Sequence, residues 1–128
     1  MAIFGIGTDR VVIARIAASL ERFGDRFIDR VYTEAEVEQA RAKGNVARRL
    51  AMLFAAKEAA SKALGTGFRH GITLRDIETI HQASGKPEIM LHGVAATIAA
   101  EQGVQTVHLS LTDDDGIAMA FAIAESGH

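Results

Sequence analysis

Apolar positions recur along this chain with two different periods, and the changes of period mark out the elements. Ile3 to Gly7 is a short apolar run closed by Gly7-Thr8-Asp9, which predicts a first strand. Thr8 or Asp9 can then cap a helix over about Val11 to Glu21. Phe23 to Val31 reads as a second short helix, approached through Gly24-Asp25. Thr33-Glu34-Ala35-Glu36 is a capping box and starts a third helix that runs to about Lys43, where Gly44-Asn45 breaks it. Val46 to about Leu64 is rich in Ala, Leu, Lys and Glu, all strong helix formers, and Gly65 and Gly67 should end it.

The second half reads mainly as strands. Ile72 to His81 carries several β-branched residues, though its alternation is imperfect. Ser84-Gly85-Lys86-Pro87 is a turn, and Glu88 to His92 is the partner strand. Gly93 to Gln102 is Ala-rich and helical, stopped by Gly103. Thr106 to Thr112 alternates cleanly: Val107, Leu109 and Leu111 face one way, Thr106, His108, Ser110 and Thr112 the other. Asp113 to Gly116 closes a hairpin through the favoured Asp-Gly pair, and Ile117 to Ala124 returns as the last strand. The sum is a mixed α and β domain.

Composition narrows the picture. A chain of 128 residues, 48% hydrophobic, is expected to form a single domain spanning 1–128. Fourteen basic residues against sixteen acidic give a net charge of -2, which offers no reason to expect nucleic-acid binding. With no Cys there is no disulfide, thiolate metal site or thiol nucleophile. The opening M-A-I-F-G-I-G-T-D lacks the basic region and apolar core of a signal peptide, and no run approaches the roughly 18 apolar residues that span a bilayer. A cytoplasmic location without membrane attachment is the expectation.

Candidate chemistry concentrates on the long helix. Helical spacing puts Glu58, Ser61 and Lys62 on one face, with Phe54 a turn before and Gly65 just after. That set would suit a metal-bound phosphate; equally, Glu58 and Lys62 have the spacing of a plain surface ion pair. Asp9 is an N-cap in one reading and a cation ligand in the other, and Mg²⁺ suits the second because it binds through one or two carboxylates plus phosphate oxygens and water. His108 lies on the polar face of its strand, solvent-exposed or functional. The Asp113-Asp114-Asp115 run lacks the length and terminal Glu of a calcium loop and reads as a solvated turn. No phosphate-binding G-x-x-x-x-G-K-[ST] loop, dinucleotide fingerprint or nucleophile elbow occurs.

Taken together, G-I-G-T-D near the N-terminus and F-A-A-K-E-A-A-S-K-A-L-G-T-G in the middle resemble the holo-[acyl-carrier-protein] synthases, the small bacterial-type 4′-phosphopantetheinyl transferases. The resemblance continues through G-I-T-L-R-D-I-E, S-G-K-P and V-H-L-S-L-T-D, nearly the whole chain. It implies an α+β fold of that type, an antiparallel sheet with a long central helix, assembled as a homotrimer with coenzyme A in clefts between subunits. It implies Mg²⁺-dependent transfer of the phosphopantetheine arm of coenzyme A to a serine of an apo acyl carrier protein, releasing adenosine 3′,5′-bisphosphate, in the service of fatty acid biosynthesis. Asp9 and Glu58 match the family's metal ligands, and Lys62 its pyrophosphate-contacting Lys. These three are the expected catalytic residues. Phe54, Glu58, Ser61, Lys62, Gly65 and His108 are the expected coenzyme A contacts, His108 from a neighbouring chain. Arg15 matches a basic residue that meets the carrier protein. Arg22, two helical turns on, and Arg26 extend that patch.

One departure stands out. The family commonly carries Arg just before the Phe of the long-helix motif, and here that position is Leu53, in Leu50-Ala51-Met52-Leu53-Phe54. A cation near the coenzyme phosphates is thereby lost, with Arg48 or Arg49, one turn earlier, as replacements. Two other function classes are compatible with the residues: a non-catalytic binding module, and a metal-dependent phosphohydrolase that uses water as acceptor.

Overall fold

The computed structural model describes residues 1–127. In chain order the elements are β1 (Ala2–Val12), α1 (Ile13–Phe23), α2 (Asp25–Val31), α3 (Glu34–Ala42), α4 (Val46–Ala63), a single 3₁₀ turn (Leu74–Asp76), β2 (Ile77–His81), β3 (Pro87–Leu91), α5 (Gly93–Gln102), β4 (Val104–Asp114) and β5 (Ile117–Ser126). Two antiparallel sheets result, one of three strands in the order β1-β5-β4 and one of two, β2-β3. The β4–β5 hairpin closes on Asp115 and Gly116, both with positive φ (51° and 77°), the conformation its tight turn demands.

α4 lies across one face of the three-stranded sheet. Ala118, Ala120, Ala122 and Ala124 of β5 point at it and are buried. Ala120, Ala122 and Ala124 pack with Ala55, Ala56, Ala59, Ala60 and Ala63 of the helix, and Ala118 with Leu50, Ala51 and Leu53. Small side chains on both surfaces let backbone approach backbone. A second cluster, around Ile16, Val31, Tyr32, Leu50 and Leu53, seats α1 to α3 on the first half of α4.

None of the described residues covers the other face of the sheet. By register, Ile6 stands beside Ile123, Thr8 beside Phe121 and Arg10 beside Met119 on that side, with His108 next to Ile123 on the third strand. Ile3 (69% exposed), Ile6 (69%), Phe121 (48%) and Ile123 (40%) make it an apolar surface open to solvent.

The structure departs from the pattern reading at three element boundaries. β1 continues to Val12, so no helix covers Val11, and α1 starts at Ile13 with Val12 as its N-cap and no side-chain cap. Val11 and Val12 are β-branched and pair with Ala118 and Ile117, so pairing with the full length of β5 overrides the local helix signal. Ile72 to His81 is half turn: Asp76 accepts the Thr73 N–H at 3.1 Å and closes a 3₁₀ turn, and the strand begins only at Ile77. His92 is not in β3 but caps α5.

The capping box at α3 forms as expected, with Glu36 accepting the Thr33 N–H at 2.9 Å. Glu36 does more than cap. It is fully buried, receives the Thr79 N–H at 2.9 Å and takes a 2.7 Å ion pair from Lys57, itself fully buried. The Lys57 ammonium also donates to the carbonyls of Leu74 (3.0 Å) and Ile77 (2.6 Å). All three ammonium hydrogens are thus used, and one side chain ties α4 to α3 and to the start of β2.

Candidate active site

Glycine brings the site together. Gly5 and Gly7 lie on the helix-facing side of β1, where a Cβ at Gly7 would stand 2.0 Å from the Ala59 carbonyl oxygen, and one at Gly5 would stand 2.1 Å from that of Ala63. Only residues without a side chain permit that approach. Asp9 is the next inward position along the strand, opposite Ala120, and so arrives beside the outer turn of α4. Lys62 reaches across to it: its ammonium lies 3.1 Å from the Asp9 carboxylate and donates to the Thr8 carbonyl at 2.9 Å. Half of the Lys62 side chain remains exposed.

Glu58, one turn before Lys62, is half-buried at the same place. Burial pushes its carboxyl above the usual range, the charge of Asp9 adds to the push, and Lys62 pulls back. Glu58 and Lys62 make no ion pair with each other, so the surface-pair reading of their spacing gives way. Lys62 instead joins helix to strand, between two carboxylates that repel each other. A shallow pocket opens alongside, lined by Thr8, Asp9, Arg10, Lys62, Met119 and Phe121. Asp9 is free of any capping duty, since α1 begins four residues later.

The other predicted residues are distributed around this centre. Ser61 is buried and its hydroxyl donates to the Glu58 carbonyl at 2.7 Å, so it braces the turn that carries Glu58. Gly65 (φ 77°) ends α4, and the N–H groups of Thr66 and Gly67 fold back to the Ser61 carbonyl at 3.2 Å. Phe54 packs at the margin of the second core cluster, a turn before Glu58. His108 stands apart, on the open face of β4, with Glu125 at 3.3 Å. Within one chain β5 separates it from Asp9.

Arg15, Arg22 and Arg26 are exposed. α1 is long enough to hold both Arg15 and Arg22, and the Arg22 guanidinium lies over the Phe23 ring at 5.2 Å. Of the two candidates to replace the cation missing at Leu53, Arg48 is committed elsewhere, in a fork onto Asp113 at 2.8 and 2.6 Å. The aspartate run is therefore not wholly a solvated turn: Asp113 and Asp114 belong to β4, and the Asp113 carboxyl, held in an ion pair, sits below the usual range because of its hydrogen bond from Arg48. Arg49 instead shares a cavity wall with Leu53. Pattern reading passed over Lys57, since a lysine in a helix signals nothing about burial, and could not choose between Arg48 and Arg49.

Known proteins agree with this architecture. A profile of the 4′-phosphopantetheinyl transferase superfamily matches residues 5–122. A holo-[acyl-carrier-protein] synthase of Halorhodospira halophila is 49% identical over 125 residues, which cover 98% of this chain and 99% of the relative. The crystal structure of the corresponding synthase from Neisseria meningitidis superposes with a TM-score of 0.90 at 39% identity, over 98% of this chain and 100% of that one. The Helicobacter pylori synthase, solved in complex with coenzyme A, superposes with a TM-score of 0.83 at 30% identity, over 94% and 99% of the two chains.

Proposed function

The chain belongs to the 4′-phosphopantetheinyl transferase superfamily, among its holo-[acyl-carrier-protein] synthases, and from that premise we propose how its residues do the work. It transfers the 4′-phosphopantetheine arm of coenzyme A to a serine hydroxyl of apo acyl carrier protein, releases adenosine 3′,5′-bisphosphate and so supports fatty acid biosynthesis. The observation that carries the site assignment is the convergence of Asp9, Glu58 and Lys62 where β1 crosses α4.

That donor set fits Mg²⁺. Two carboxylates lie close enough for one to raise the other, and among the described residues no group of three or more His, Asp or Glu gathers anywhere. A divalent cation relieves the repulsion, and Mg²⁺ is satisfied by two protein carboxylates when phosphate and water complete its shell. Asp9 and Glu58 would hold it, and when bound it neutralises pyrophosphate charge.

The chain's own residues account for the rest. Lys62, half-exposed and steadied by Asp9 and the Thr8 carbonyl, neutralises charge gathering on the departing phosphate. The serine oxygen attacks the phosphorus bearing the pantetheine arm, roughly in line with the oxygen that leaves. Its proton passes through water to one of the two carboxylates. Transfer is direct, without a covalent enzyme intermediate. Ser61 and Gly65 shape the end of α4 that borders the coenzyme, with Phe54 a turn before Glu58.

We read the working form as a homotrimer of single-domain, cytoplasmic subunits. The support is the open apolar face of the sheet, which a second and third copy would cover. His108 lies on that face and would reach coenzyme A bound to a neighbour. No helix among the described residues is long and apolar enough to cross a membrane. Arg15, Arg22 and Arg26 form the surface for the acidic carrier.

The test is to incubate the protein with coenzyme A, Mg²⁺ and an apo carrier, then weigh the carrier. A mass gain of one phosphopantetheine group is expected. Free phosphopantetheine with an unmodified carrier would indicate a hydrolase, and no reaction at all a binding module.

A further inference from the structure

The stripe that seats α4 on the sheet is alanine on both sides, Ala55, Ala56, Ala59, Ala60 and Ala63 against Ala120, Ala122 and Ala124. Methyl groups bury area but raise no ridge to fill a groove, so this contact resists a turn of the helix about its own axis only weakly. A firmer hold lies elsewhere on α4. Lys57 is fully buried, and its ammonium donates to the Glu36 carboxylate at 2.7 Å and to the carbonyls of Leu74 at 3.0 Å and Ile77 at 2.6 Å. Glu36 is itself fixed by the Thr33 and Thr79 N–H groups, both at 2.9 Å. The Tyr32 ring lies 5.8 Å from the same ammonium, and the Tyr32 hydroxyl donates to the Leu50 carbonyl at 2.8 Å, two turns back along α4.

Glu58 is the next residue, about 100° further round the helix. Among the described residues nothing donates a hydrogen bond to its carboxylate, so the place of that group depends on the helix that carries it. The Ser61 hydroxyl braces the Glu58 carbonyl from within α4 and turns with it. A turn of about 10° carries a carboxylate about 5–6 Å from the axis sideways by about 1 Å. A misplacement of that size costs on the order of a hundredfold in rate.

We propose that Lys57 is a positioning residue: caged by Glu36 and the Leu74 and Ile77 carbonyls, it fixes the rotation of α4 and so aims the Glu58 carboxylate at the place where Asp9 stands. Lys57 touches no substrate and acts only through its neighbour. What Glu58 does once aimed rests on the transferase reading. The Thr33–Glu36 capping box thereby serves the site as well as α3, because it holds the anion that Lys57 is anchored to.

The test compares the natural protein with three variants in the cold, with rates expressed per folded molecule from circular dichroism. Lys57→Met keeps the stem and removes the ammonium. Glu36→Gln keeps an acceptor oxygen and removes the charge, a gentler loosening of the cage. Val31→Ala opens a cavity in the second core cluster, outside the cage, and is the control for lost stability. Lys57→Met should lower kcat by about tenfold to a hundredfold, the range for a residue that orients a metal ligand, with the KM for the carrier near natural. Glu36→Gln should lose less in the same direction, and Val31→Ala should keep the natural kcat. A second readout needs no turnover: calorimetry of Mg²⁺ added to the coenzyme-A-loaded, carrier-free protein. Affinity should fall by about tenfold or more in Lys57→Met and hold in Val31→Ala. Natural kcat and Mg²⁺ affinity in Lys57→Met overturn the role, as does an equal loss in Val31→Ala. If Lys57→Met does not fold, Glu36→Gln decides by the same two readouts. A natural protein that binds Mg²⁺ and transfers nothing, and whose binding weakens in Lys57→Met, sinks the transferase reading and keeps the positioning role.

Discussion

Replacing Gly7 with Ala tests how the site is held together. The added methyl would stand 2.0 Å from the Ala59 carbonyl oxygen, 2.8 Å from the Ala63 nitrogen and 2.9 Å from the Lys62 Cβ. Two of these three are backbone atoms of α4, so no rotamer change relieves the clash. Ordinary contact needs about 3.4 Å, so strand and helix must part by about 1.4 Å. Overpacking of this kind costs about 1–3 kcal/mol, against a gain of about 0.5–1 kcal/mol from replacing a flexible glycine within a strand. At this chain length about 1 kcal/mol corresponds to roughly 4 °C in melting temperature, so the net loss of up to about 2.5 kcal/mol predicts a drop of up to about 10 °C. Asp9 rides on the same strand two residues further on, and a displacement near 1 Å costs transfer on the order of a hundredfold. Circular dichroism melts give the first quantity, and the rate of carrier mass gain, measured well below the melting temperature, gives the second. A Gly7→Ala protein that melts with the natural one and transfers at full rate would refute the close approach. A destabilised variant with full rate in the cold would show that Asp9 is positioned by something other than this contact.

Four further outcomes follow from the same geometry. Asp9→Ala and Glu58→Ala should each abolish most Mg²⁺-dependent transfer with little change in melting temperature; near-natural turnover of either at limiting Mg²⁺ would remove that residue from the metal site. Lys57→Met leaves the Glu36 carboxylate buried without its cation and should cost about 3–5 kcal/mol in urea denaturation, while an unchanged midpoint would contradict the buried pair. Ile6→Asp, on the open face, should convert a sedimenting trimer to monomer and take activity with it; an active monomer would deny a site shared between subunits. Arg15→Glu should raise the KM for the carrier more than that for coenzyme A, by an amount that shrinks with added salt, and unchanged carrier kinetics at low salt would exclude this residue from docking.

Much of this fold is legible in local chemistry. The Thr33–Glu36 capping box, the Asp115-Gly116 turn, the glycine stop after α4 and the alternation of β4 are signals that neighbours in sequence settle among themselves. The misread stretches depend on distant partners. Val11 and Val12 join β1 because β5 offers them partners more than a hundred residues away in sequence. Leu74 to Asp76 leaves the strand because Asp76 closes on Thr73 and the Lys57 ammonium claims the Leu74 carbonyl. Burial of Lys57 itself has no local signature, since Lys57 and Lys62 look alike in sequence. One is sealed among carbonyls and a carboxylate, while the other stands half in water.

The candidate site was legible to a different degree at each of its parts. Spacing placed Glu58 and Lys62 together but left open whether they pair, and Asp9 had a competing role as a cap. The structure decides both through one side chain, because Lys62 bonds to the strand that carries Asp9 instead of to its own helix. What one chain leaves apart is equally instructive. Asp9, Glu58 and Lys62 lie toward the β1 edge of the sheet; His108 lies on β4, on the far side of β5. A single chain holds these residues at opposite edges, and between them lies an apolar face that no described residue covers. Closing that face with copies of itself would bring the β4 edge of one chain to the β1 edge of the next. On this reading the open face and the divided site are one feature: each subunit would hold the metal and reacting phosphate, and the His108 of its neighbour would meet the coenzyme.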